Sequence, residues 1–193
     1  MTEPLERLAA WFEEAVEAGV PEPNAMALAT ATPDGVPSVR IVLLKGIDER
    51  GAQFFTNYES RKGRELDANP RAAATLYWQP QHRAARLEGV VERLSAEESD
   101  AYFASRPRGS RLGAWASRQG WVLASREALE AALADAESRY PGDDVPRPAY
   151  WGGYRLVPTA IELWQGMPSR LHDRVHWVRD GIDGPWREER LSP

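Results

Sequence analysis

The chain has 193 residues, 42% hydrophobic and 27% charged, with a formal net charge of −5. That is an ordinary globular composition, long enough for one domain with a sizeable core rather than a disordered chain. The absence of cysteine excludes disulfides, thiolate metal sites and cysteine nucleophiles, and the acidic balance argues against non-specific nucleic-acid binding, which needs a basic face.

The start, MTEPLERLAAWFEEAVEAG, carries five glutamates and has neither a basic leader nor an uninterrupted apolar run. It is not expected to be a signal peptide, and a cytoplasmic protein is expected. Leu5, Leu8, Ala9, Phe12 and Val16 recur at helical spacing until Gly19 and Pro21, so an amphipathic helix is predicted over 4–18. From Ala25 the texture changes to AMALATAT, VPSVRIVLLKG and AQFFTN, separated by the turn signals PDG and IDERG, which reads as a meander of strands. SRKGRELDANP follows as a short helix capped by Ser60 and ended by Asn69–Pro70. RAAATLYW and RAARLEGVVERL read as two more strands.

Ser95 with Glu98 forms a capping-box signature for a helix that Pro107 stops. RGSRLGAWASRQG is a further helical piece and SREALEAALADAESRY a full helix. Three strand-like segments close the chain: YRLVPTAIELWQG, RLHDRVHWVRD and WREERL. No apolar run approaches the roughly 20 residues that span a bilayer, so no membrane association is expected. No repeat, GxGxxG or P-loop is present, so the order predicts a closed antiparallel barrel with inserted helices. A single domain over 1–193 is expected, with 1–20 a helical segment and 21–193 the barrel with its helices.

Four stretches carry chemistry. SRKG (60–63) places Arg61 and Lys62 at a helix start, either a solvated basic turn or an anion site. RIVLLK (40–45) flanks an apolar strand with Arg40 and Lys45, on opposite faces by strict alternation. Tyr102 and Arg106 share a helix face ahead of Ser110; that set suits a phosphate, although spacing alone favours core for Tyr102. In WQGMPSRLHDR (164–174), an extended strand would project Arg170, His172 and Arg174 to one face and Leu171 and Asp173 to the other. Three donors on one face call for either open solvent or a compensating anion. His82 and His176 read as structural, and three scattered histidines suggest no metal site.

Together these segments resemble the pyridoxine (pyridoxamine) 5′-phosphate oxidase family. The matching run comprises RIVLLK, FFTNYESRKGRELDANP (54–70), YFASRPRGSRLGAWAS (102–117), WGGYRLVP (151–158), ELWQG (162–166), RLHDR (170–174) and RLSP (190–193). It covers nearly the whole chain from about residue 25, in family order. The resemblance implies an FMN-binding split β-barrel with peripheral helices, acting as a homodimer with FMN at the subunit interface. Carried over by position, FMN would be held by Arg40, Ile41, Val42, Leu43, Leu44 and Lys45, by Phe55, Thr56, Arg61 and Lys62, and by Gln119, Trp164 and Arg174. The substrate phosphate would fall to Lys45, Tyr102, Arg106 and Ser110. Arg170, Leu171 and His172 would lie at the pyridine ring, with Arg170 and His172 as the catalytic pair.

The implied reaction is FMN-dependent oxidation of pyridoxine or pyridoxamine 5′-phosphate to pyridoxal 5′-phosphate, a step of vitamin B6 metabolism, with dioxygen as acceptor. Ala84 and Gly120 stand where relatives usually carry Gln and Ser; the Gly120 N–H can still donate, and on hydrogen-bond energetics the two losses would weaken FMN binding about tenfold or more without abolishing it. The segment before the first strand also looks short beside longer relatives, in which it contributes to the substrate site. Two rival readings remain: an FMN oxidase of the same fold acting on another planar, phenazine-type heterocycle, and a non-catalytic binder of FMN or pyridoxal phosphate.

Overall fold

The computed structural model describes residues 2–193. These form helices α1 (Glu3–Glu17), α2 (Arg61–Ala68), α3 (Ala96–Ser105), α4 (Arg108–Ala116) and α5 (Arg126–Arg139). The strands are β1 (Ala25–Ala31), β2 (Pro37–Leu43), β3 (Gly46–Ile47), β4 (Ala52–Asn57), β5 (Arg71–Trp78), β6 (Arg83–Arg93), β7 (Trp151–Gln165), β8 (Asp173–Val178) and β9 (Arg187–Arg190). They make one antiparallel sheet in the order β2-β1-β5-β6-β7-β4-β3, with β8 and β9 added beside β7. The fold is a split barrel of antiparallel strands with peripheral helices, as the family resemblance implies; the order of elements alone predicts a closed barrel.

Strand β7 is the seam of the split. β6 lines one edge of it from Tyr154 to Gln165. Along the other edge, Trp151–Leu156 pairs with β4 and Ala160–Gln165 pairs with β8. The partner changes around Pro158, which has no N–H to give, opposite a register shift between Glu88 and Gly89. Gly89 is required there, since a Cβ would stand 2.1 Å from the Val157 carbonyl oxygen.

Alternation builds the core. Met26, Leu28 and Thr30 of β1, Ala74, Leu76 and Trp78 of β5, and Ala85 and Leu87 of β6 point into the barrel. Helix α1 closes one end with Leu5, Leu8 and Ala15; each buried leucine contributes about 1.5–3 kcal/mol. Val16, placed on the apolar face by spacing, is exposed, and Ala15 takes the inward position. A second, smaller core of Phe103, Leu112, Ala136, Val145 and Trp151 fastens α3, α4 and α5 to the start of β7.

Two predicted elements change shape. β7 starts at Trp151, ahead of the expected Tyr154. The strand expected from Arg170 starts only at Asp173, because the β7–β8 connection consumes residues 166–172. Pro168–Arg170 forms a 3₁₀ turn in which Ser169 and Arg170 have φ of 58° and 60°. Arg170, His172 and Arg174 therefore do not share a strand face; period-two alternation applies from Asp173 onward, with Val175 and Trp177 inward.

Candidate active site

The capping serine of α2 organises the first cavity, about 370 Å³ in volume, which opens between the end of β2, β4 and the α3–α4 junction. Ser60 Oγ accepts from the Gly63 N–H at 3.3 Å and fixes the start of the helix. From that turn Lys62 runs inward, and its Nζ donates to Thr56 Oγ1 (3.1 Å), Ser60 Oγ (3.2 Å) and Gln119 Oε1 (2.8 Å). All three acceptors are neutral. Burial, reinforced by the Arg40 charge, lowers the Lys62 pKa to about 8. A buried ammonium without a carboxylate partner favours an incoming anion.

Beside it lies a charge cluster on the inner side of the sheet. Glu65 is 5% exposed; its Oε2 accepts from Thr30 (2.5 Å) and Ser38 (2.6 Å) and lies 3.4 Å from the Arg40 guanidinium. Its Oε1 accepts from Arg61 Nε at 2.8 Å. Burial alone would raise the carboxyl pKa, but the bonds from Ser38, Thr30 and Arg61 outweigh it and hold it down at about 2. The terminal nitrogens of Arg40 are spent on Leu28 O, Thr30, Ser38 and Glu65. Those of Arg61, which is largely exposed, take no hydrogen-bond partner among the described residues.

The opposite wall belongs to α3 and α4. Tyr102 stacks on Phe55 with ring centroids 3.9 Å apart and lies nearly parallel to Trp151. Lys45 Nζ stands 5.9 Å above the Tyr102 ring, and the Arg106 guanidinium 4.6 Å over Trp151. Arg106 Nη1 is buried without a hydrogen-bond partner among the described residues, and burial lowers the Arg106 pKa. Ser110, in the first turn of α4, completes the wall. Lys45 lies past the end of β2, where its N–H turns to Gln53 O on β4, so strand alternation does not reach it. Ile41, Val42 and Leu43 line this cavity, and Leu44 is buried beneath it.

A second cavity, about 390 Å³, lies on the outward face of β5, β6, β7 and β8 and includes Tyr77, Ala84, Arg86, Glu162, Trp164, His172 and Arg174. Glu162 is buried and accepts from Arg174 Nε (2.6 Å), while Arg86 Nη2 lies 3.0 Å from its other oxygen. Burial opposes the charge of Glu162, but these two guanidiniums keep its pKa below the ordinary value. His172 packs 4.6 Å from the Trp164 ring, and its Nδ1 accepts from the Met167 N–H at 3.1 Å. In the neutral ring the proton therefore sits on Nε2.

The structure thus brings Lys45, Phe55, Thr56, Lys62, Tyr102, Arg106, Ser110 and Gln119 together, and Trp164, His172 and Arg174 elsewhere. Arg170 and Leu171 are exposed and line neither cavity. The row from Val42 through Met26, Leu76 and Ala85 to Leu163 crosses four strand spacings, ~19 Å along the sheet. The face between is apolar and open: Val39 is 68%, Ile41 63% and Tyr77 58% exposed. Gly120 has φ of 83°, a conformation that disfavours the serine that the family resemblance leads one to expect there. Sequence reasoning missed Glu65, Trp151, Arg86 and the clamping role of Glu162. Only Glu65 carried a local signal, four residues after Arg61 on one helix.

Comparison with known proteins adds three findings. Residues 12–140 match the family described as pyridoxamine 5′-phosphate oxidase, and residues 151–193 match the pyridoxine 5′-phosphate oxidase C-terminal dimerisation region. Relatives named pyridoxine/pyridoxamine 5′-phosphate oxidase occur in Rubrobacter xylanophilus and Bordetella petrii. The first is 59% identical over 191 residues, 99% of this chain and 87% of the relative. The second is 59% identical over 190 residues, 98% and 89%. Among solved structures, PhzG from Burkholderia lata, in complex with tetrahydrophenazine-1-carboxylic acid, superposes with a TM-score of 0.93 at 37% identity, covering 100% of this chain and 94% of that one. A pyridoxamine 5′-phosphate oxidase-related, FMN-binding protein from Nostoc punctiforme shares the fold, with a TM-score of 0.78 at 18% identity over the whole of both chains.

Proposed function

The chain belongs to the pyridoxine/pyridoxamine 5′-phosphate oxidase family, whose cofactor is FMN, and from that premise we propose that it oxidises pyridoxine or pyridoxamine 5′-phosphate to pyridoxal 5′-phosphate. The observation that carries this reading is one cavity with three cations that have no counterion among the described residues, Lys62 on one wall and Lys45 and Arg106 beside the stacked Phe55, Tyr102 and Trp151 of the other. Two phosphorylated, planar molecules suit that donor set better than one.

Lys62, Thr56, Gln119 and Arg61 would hold the flavin phosphate, with Arg40 behind them. When bound, FMN accepts a hydride equivalent from the substrate carbon and passes the electrons to dioxygen, giving hydrogen peroxide. Lys45, Tyr102, Arg106 and Ser110 would fix the substrate phosphate, and His172 Nε2–H and Arg170 its ring, so that the reacting carbon is presented at a set distance. With the amine, water cleaves the oxidised carbon–nitrogen bond and ammonia leaves. No side chain is asked to act as a nucleophile.

The ring contacts from Trp164, His172 and Arg174 would come from a second copy. The open apolar face at Val39, Ile41 and Tyr77 and the match of 151–193 to a dimerisation region both support a two-fold pairing. Pairing would set the second cavity of one subunit against the first cavity of the other.

A second reading, oxidation of a reduced phenazine-type tricycle, is favoured by the likeness to PhzG and by Ala84, which leaves space in the wall of the second cavity. Steady-state turnover of both phosphorylated vitamers and of tetrahydrophenazine-1-carboxylic acid by the FMN-loaded protein separates the two. The first reading expects kcat/KM for a vitamer to exceed that for the tricycle and to fall about a hundredfold or more in Arg106→Ala, which removes a charged phosphate contact. Higher kcat/KM for the tricycle, unaffected by Arg106→Ala, selects the second.

A further inference from the structure

We propose that Glu65 is a positioning residue for the flavin phosphate: a buried anion that orients Arg40 and Arg61 and so strengthens the binding of another anion. The inference rests on the reading that FMN places its phosphate at the start of α2. No role for Glu65 follows from the motifs that suggested that reading.

A carboxylate beside a phosphate site ought to repel the ligand. Its surroundings argue for the opposite net effect. Glu65 joins three elements: Thr30 of β1 and Ser38 and Arg40 of β2 converge on Oε2, while Arg61 of its own helix reaches Oε1. Arg61 is otherwise a largely exposed side chain with free rotamers. Holding Nε fixes the plane of the guanidinium and leaves its two terminal nitrogens for a bidentate contact. On the other side Arg40 is so saturated by Leu28 O, Thr30, Ser38 and Glu65 that it cannot turn away. The carboxylate also stands between two guanidiniums that would otherwise repel each other; without it the chain would have to bring Arg40, Arg61 and Lys62 together uncompensated. Preorganisation of this kind lowers the ordering cost at binding.

The sign of one substitution separates the two electrostatic roles. If Glu65 merely repels, neutralising it in Glu65→Gln tightens FMN binding. If it positions, the amide cannot accept at both ends, Arg61 or Arg40 is released, and binding weakens.

The test measures affinity of the full-length apo protein for FMN and for riboflavin, by quenching of flavin fluorescence. Wild type binds FMN more tightly than riboflavin. Glu65→Gln lowers FMN affinity by about tenfold or more, as expected for the loss of a charged hydrogen bond, and leaves riboflavin affinity within about twofold, well short of such a loss. Glu65→Asp, which keeps the charge but is too short to span both ends, shows the same phosphate-selective loss and serves if the glutamine variant does not fold. FMN affinity that is unchanged or tighter in both variants overturns the proposal, as does an equal loss of FMN and riboflavin, which marks a general packing role. Arg61→Ala and Lys62→Ala separate the layers. If these leave FMN affinity intact, the phosphate is not at α2 and the reading beneath the proposal fails; if they weaken it while both Glu65 variants do not, only the proposal fails.

Discussion

Lys62 carries a charge that the fold holds at a cost. Its ammonium is buried among neutral oxygens, and burial together with Arg40 brings its pKa from 10.5 to about 8. In the ligand-free protein the charged form is the penalised one, so between about pH 8 and 10.5 the unfolded chain keeps a proton that the folded chain has lost, and stability rises with pH across that window. If Lys62 holds the flavin phosphate as proposed, FMN requires its charged form, and FMN affinity should fall over the same window, by up to tenfold per unit for one linked proton. Fluorescence titration of apo protein from pH 7 to 10 checks this, and Lys62→Met should bind weakly with no alkaline limb. Glu65 titrates at the other extreme. Its pKa is depressed, so its stabilising contribution is present above the ordinary carboxylate range and is lost as pH falls toward about 2. Of this pair, Lys62 was legible in the sequence because two cations after a capping serine mark a helix start that favours anions. Glu65 was legible only in its spacing from Arg61, because its hydroxyl and guanidinium partners on β1 and β2 lie 25 or more residues away and meet it only in the fold.

Helix α2 shows how an element sets a site. Gly63 lies against the chain just before the helix: a Cβ there would stand 2.0 Å from the Tyr58 carbonyl oxygen. Gly63→Ala must displace the turn that carries Ser60, Arg61 and Lys62, at a cost of about 1–3 kcal/mol. The expected result is a lower melting temperature together with FMN affinity reduced by at least tenfold, on the order of one lost charged contact. Unchanged affinity would mean that the helix start does not touch the ligand. The β7–β8 connection marks the limit of reading elements from sequence. Alternation in RLHDRVHWV looked like one strand, yet the connection from β7 needs residues through His172, and Pro168 with two left-handed residues makes the turn. Hydrophobic period two is a property of strands, and it cannot report where a polar turn gives way to one. Arg170 is exposed two residues before His172 and lines neither cavity, so its contact with the substrate ring is a proposal that one substitution tests. Arg170→Ala should lower vitamer turnover while leaving FMN affinity within about twofold, less than one charged contact is worth; loss of flavin with normal turnover of the remaining holoenzyme would assign it to the cofactor instead.

At the scale of the whole molecule, strands and helices were legible because each hairpin and cap announces itself locally, from Ser95–Glu98 to the PDG turn. The exchange of β4 for β8 along β7 was not, since nothing in the sequence of β7 beyond Pro158 states which partner takes which half. The division of the site into two cavities follows from that exchange and gives the apolar face between them its importance. Val39→Asp, on that face and outside both cavities, should yield a folded monomer by sedimentation velocity with FMN affinity at least tenfold weaker, by the loss of the second copy's ring contacts. A Val39→Asp dimer of normal affinity would place the pairing elsewhere. The most direct test of the whole account is a single anaerobic mixing experiment: FMN-loaded protein with excess pyridoxine or pyridoxamine 5′-phosphate, followed by absorbance. The account predicts loss of the oxidised-flavin band with one pyridoxal 5′-phosphate formed per flavin, and return of the band on admitting air. A band that persists with both vitamers, in protein fully loaded with FMN, would contradict it.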